Sequence, residues 1–104
     1  MSTCAWVITK DHLFEDGTDD RDKTGTSGPH DATDAQLEQA RAGAGWPFKM
    51  YDDDGILYYE GRCWSEHGYG DEDLFRPLDD FGTPNAGAVT IKYRHPDSGK
   101  WEPL

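Results

Sequence analysis

Carboxylates dominate the chemistry this chain can offer. Asp20, Asp22, Thr24 and Gly25 are followed by Asp31, so Asp20 and Asp31 take the first and last places of a twelve-residue stretch. Calcium loops of the helix-loop-helix type need oxygen donors at alternate positions and a glycine at the sixth. That order makes Asp20, Asp22, Thr24 and Asp31 a candidate metal set, with calcium as the candidate ion. Thr24 stands where an acid or amide is usual, and Asp31 stands where a longer bidentate glutamate normally closes the loop. No convincing helix precedes it, and a solvated acidic loop is the competing reading.

Two further acidic groups follow. Asp52, Asp53 and Asp54 sit in a predicted hairpin turn, where adjacent carboxylates can share a hard cation or simply satisfy turn backbone. Glu66, Asp71, Glu72 and Asp73 precede Asp79 and Asp80, with Leu74, Phe75 and Leu78 between them as an apolar anchor. Carboxylates around the aromatics Tyr69, Phe75 and Phe81 suit a basic protein partner, because buried aromatics carry binding energy and rim charges steer encounter. The candidate partner-binding residues are therefore Asp71, Glu72, Asp73, Asp79, Asp80, Tyr69 and Phe81.

Signs of catalysis are absent from the sequence. Cys4 and Cys63 form no C-x-x-C pair, and His12, His30, His67 and His95 have no metal-ligand spacing. A nucleophilic Cys63–His67 pair is conceivable, but nothing local activates either residue. There is no G-x-S-x-G, P-loop or dinucleotide fingerprint. The expectation is a protein that is not an enzyme.

Charge narrows the partners. The 104 residues include 21 Asp and Glu against 10 Lys and Arg, for a formal net charge of -11. That field repels phosphate backbones and anionic membranes, so neither direct nucleic-acid binding nor membrane binding is expected; it favours cations and basic protein surfaces. No secretory signal and no apolar run of about 20 residues is evident, which points to the cytoplasm and reduced thiols.

The elements that must position these side chains read as follows. Residues 5–9 form a first strand. Residues 15–32 are a long acidic loop, the first place to look for a site. Thr33 with Gln36 fits a capping box for a helix that ends before Gly43; its thin apolar face, Leu37 and Ala40, should touch a sheet by one edge. Residues 48–51 and 56–59 flank the Asp54-Gly55 turn as a hairpin, and Gly61 marks a bulge or a close backbone approach. Residues 65–73 form a second acidic loop, and residues 79–87 are turn chemistry throughout. Val89, Ile91 and Tyr93 alternate on a further strand, and residues 100–102 return along its edge. The order predicts one α+β domain over residues 1–104, with a four- to five-stranded, mainly antiparallel sheet and one helix on one face. Its expected core is Trp6, Ile8, Leu37, Ala40, Phe48, Met50, Leu57, Tyr59, Val89, Ile91 and Tyr93.

The succession WVITKDH, GTSGPHDAT, FKMYDDDGILYYEGR, PLDDFGTPNAG, IKYR and GKWE resembles a family of small proteins of actinobacteria and their phages. The resemblance spans nearly the whole chain and centres on the DDDG hairpin and the PLDDFGTPNAG turn. That family carries no assigned activity, so the resemblance transfers no catalytic residues. It implies a cytoplasmic, phage-related protein. The functional expectation is a non-catalytic acidic protein that binds a basic protein surface, as a phage-type inhibitor or nucleic-acid mimic. A calcium-dependent binding module built on Asp20–Asp31 is the alternative.

Overall fold

The computed structural model describes residues 2–104. A single six-stranded sheet runs through them, in the order β2-β1-β4-β3-β5-β6, with every neighbouring pair antiparallel. The strands are β1 (Cys4–Asp11), β2 (Ser27–Gly28), β3 (Trp46–Tyr51), β4 (Leu57–Ser65), β5 (Thr90–Arg94) and β6 (Trp101–Pro103). The fold is α+β. It has more strands than the sequence suggests because Ser27 and Gly28 pair with Val7 and Trp6 from inside the acidic loop.

Residues of β1 are buried on both faces, so both must be covered. Trp6 and Ile8 join Phe48, Met50, Tyr59, Cys63, Ile91 and Tyr93 on the main core face. Ala5 and Val7 therefore point the other way, where α2 (Asp34–Arg41) lies on β1 and β4. Thr33 caps α2 as its sequence predicts: Gln36 N–H donates to Thr33 Oγ1, and Thr33 N–H donates to Gln36 Oε1. Ala40 is fully buried and Leu37 half-buried, the edge contact expected of a thinly apolar helix. Arg62 fastens the end of α2 by donating to the carbonyls of Ala40 and Gly45.

The single-helix expectation is corrected on the main core face. That face is roofed by a helical run of three short pieces: a 3-10 turn Glu72–Phe75, a π-type turn Leu78–Gly82 and a helix Thr83–Ala86. A four-residue helix, α1 (His12–Glu15), follows β1 directly; the helix Thr83–Ala86 is α3. Residues 79–86 are thus helical rather than a chain of turns. Asp71 caps the run by accepting from Asp73 N–H, Pro84 occupies the first turn of Thr83–Ala86 where its missing N–H costs little, and Gly87 ends the run at φ +73°. Leu74, Pro77, Leu78 and Phe81 face the sheet.

Most of the expected core is inside. Val89 is the exception at 56% exposed. It precedes β5, where the chain leaves Gly87 with Ala88 turned inward, and its N–H is spent on the Tyr51 carbonyl. Leu37 and Leu57 are half-buried rather than central. Gly61 is a close backbone approach rather than a bulge, since the extra residue lies on the facing strand β1. The register slips between Ile8 and Lys10 opposite it, and a Cβ there would lie 2.3 Å from the Val7 carbonyl oxygen and 2.4 Å from the Phe48 ring. No helix among the described residues is long and apolar enough to cross a membrane.

Candidate functional site

The Asp71–Asp80 segment lies on the roof of the main core, and its carboxylates divide into two kinds. Asp73 accepts from Thr3 Oγ1 at 2.7 Å and from Ser65 Oγ at 2.9 Å, and Asp71 caps the turn. Asp80 accepts from Trp6 Nε1 at 3.2 Å and pairs with Arg76 at 3.2 Å. Asp73 and Asp80 attach the roof to the sheet, and Asp71 shapes its first turn. Glu72 and Asp79 lie exposed, with Phe75 at 38% exposure on the same run.

Of the aromatics expected on this surface, Phe81 is corrected. It is 4% exposed, because the helical run turns it onto the edge of Tyr59 and against Trp6. Tyr69 is half-buried and packs edge-on to Trp46, Tyr93 and His95. Beside Asp80 opens a cleft of about 400 Å³, lined by Trp6, Gly28, Pro29, His30 and Arg76.

The loop of residues 15–32 does not wrap around a centre. Gly25 N–H donates to the Ile8 carbonyl at 2.7 Å and Ile8 N–H to the Thr26 carbonyl at 2.8 Å, so this stretch runs alongside β1. Asp22 accepts from Thr24 N–H as a local turn. Asp20 and Asp31 are exposed, and no metal-sized cluster among the described residues includes Asp20, Asp22 or Asp31. The carboxylates that do converge, within 4.8 Å, are Asp52, Asp53 and Asp54. Asp52 is already engaged there: it accepts from the N–H groups of Asp54 and Ile56 and from the Tyr58 hydroxyl. The N–H bonds to Ile56 and Asp54, with the Tyr58 hydroxyl, hold its carboxyl below the usual carboxylate range.

The sequence gives little warning of an acid pair at the base of the loop, one member buried and the other partly exposed. Asp11 is 2% exposed and accepts from Phe14 N–H and Lys23 N–H. Burial pushes its carboxyl up, and neighbouring Asp19 adds to the effect. Asp19 is itself desolvated, yet the Lys23 ammonium at 2.9 Å, the Asp11 carboxyl and the Tyr59 hydroxyl hold it below the usual range. The readable signal was Asp11 as the N-cap of α1; the partner twelve residues away in Lys23 is a tertiary fact.

Cys4 and Cys63 are free and buried on neighbouring strands, offset by two residues in register. Burial pushes both thiols up, which disfavours the thiolate. His67 is exposed, and its partner is Glu66 rather than either cysteine. No family model, no curated protein and no solved structure matches this chain.

Proposed function

We propose that this protein is a non-catalytic interaction module whose acidic roof engages a basic surface on another protein. The supporting observation is the segregation of its charge. Among the described residues, carboxylates within 4.0 Å of a Lys or Arg nitrogen are Glu15, Asp19 and Asp80, while Glu60 and Glu66 meet only histidine. Glu72 and Asp79 have no such neighbour, while Lys49 and Lys92 alternate with core residues and so point to the far face of the sheet. An uncompensated negative surface draws cationic partners at long range and loses that pull with salt. In its finer form the reading is nucleic-acid mimicry, in which the partner's basic surface normally holds a phosphate backbone.

The test is capture of basic nucleic-acid-processing proteins at low and high salt. Salt-sensitive capture that weakens in the Glu72→Lys, Asp79→Lys double variant, and that duplex DNA competes away, supports the proposal. Capture indifferent to salt and to those reversals overturns it.

A further inference from the structure

The outward face of β3, β5 and β6 carries the opposite sign to the roof. Phe48, Met50, Ile91 and Tyr93 point into the core, so Lys49, Tyr51, Lys92 and Arg94 share the other face. On that face α2 packs on β1 and β4. Register places Lys49 directly opposite Lys92, Arg94 opposite Trp101, and Lys92 opposite Pro103.

Like charges facing each other across a strand pair work against the fold. The chain has 21 acids with which to neutralise its 10 bases. Even so, among the described residues no carboxylate lies within 4.0 Å of the charged nitrogens of Lys49, Lys92 or Arg94. The ammonium groups rest on rings instead: Lys49 Nζ is 4.3 Å from the centre of Trp101, and Lys92 Nζ is 5.1 Å from that of Tyr51. Trp101 is 37% exposed.

We propose that this sheet face is a docking site for a short acidic segment of a partner protein. Carboxylates of that segment sit over Lys49, Lys92 and Arg94, and an adjoining apolar side chain lies against Trp101. The borders of the patch favour a peptide over a nucleic-acid strand. Glu60 stands opposite Lys49 on the β4 side, Asp52 and Asp53 line the recess that also contains Tyr51 and Lys92, and Asp97 lines the one beside Arg94. A phosphate chain carries a charge on every unit and must cross those acids. A peptide can set carboxylates over the lysines and neutral residues over the borders. This site is separate from the acidic roof and stands or falls without it.

The experiment is fluorescence anisotropy with a dye-labelled hexapeptide of alternating glutamate and leucine, its glutamine counterpart, and a labelled oligothymidylate. The glutamate peptide should bind with salt-sensitive affinity. Binding should fall at least about tenfold in the Lys49→Glu, Lys92→Glu variant and measurably in the milder Lys49→Gln, Lys92→Gln variant, which guards against a folding failure. Trp101→Ala should weaken it at every salt concentration. No binding of the glutamate peptide, equal binding of the glutamine peptide, or indifference to both lysine variants overturns the proposal. Tighter binding of oligothymidylate makes the face a nucleic-acid surface instead. Self-association in sedimentation that the lysine reversal abolishes assigns it to a second copy of this chain.

Discussion

The Tyr93 hydroxyl donates to the Leu74 carbonyl at 2.6 Å, a buried bond that joins the centre of the sheet to the helical roof above it. Tyr93 is fully buried and its ring packs against Phe48 and Tyr69. Tyr93→Phe keeps the ring and leaves the carbonyl without this donor. The expected loss is about 1–3 kcal/mol in urea unfolding, with little change in far-UV circular dichroism.

Gly61 admits no side chain. Gly61→Ala would press a methyl group into the Val7 carbonyl and the Phe48 ring, one of them backbone that cannot swing aside. Overpacking of this kind costs about 1–3 kcal/mol, and more where backbone must move. Thermal unfolding of Gly61→Ala should show a clear fall in Tm, whereas alanine at Gly17 meets open space and tests only the φ of +85°.

Asp52 gives a pH signature. Its folded carboxyl lies below the usual range because Ile56 N–H, Asp54 N–H and the Tyr58 hydroxyl favour the charged form. A depressed acid contributes stability above its unfolded pKa of about 3.9, and that contribution disappears as pH falls through the lower folded value. The wild type should therefore be more stable than Asp52→Asn at neutral pH, and the two melting curves should converge in acid below about pH 4.

The thiols of Cys4 and Cys63 should ignore a disulfide reagent in the native state. Both are 0% exposed, and burial holds them as neutral thiols. Both should react at once in denaturant, and slow native labelling should follow the unfolding rate. Fast native labelling of Cys63 would revive the nucleophile reading.

Local patterns carried the strands, the hairpin and α2, because each is written in neighbours: Thr33 with Gln36, Asp54 with Gly55, and the alternation through Ile91 and Tyr93. The roof was written too, in Leu74, Pro77, Leu78 and Phe81 at helical spacing. Its prolines, glycines and aspartates speak louder for turns, a reading that leaves Phe81 outside. What separates the working carboxylates from the exposed ones was not legible at all. Asp73 and Asp80 are engaged by Thr3 and Trp6, some seventy residues away. Nor did spacing alone reveal that Lys49 faces Lys92, since that depends on the register between β3 and β5.

The two outermost strands leave little purchase for lateral growth. One is the dipeptide Ser27–Gly28, and the other has three residues, ending in Pro103, which has no N–H to offer. Ribbon-wise stacking of copies into fibrils is thereby discouraged, so concentrated solutions should stay clear.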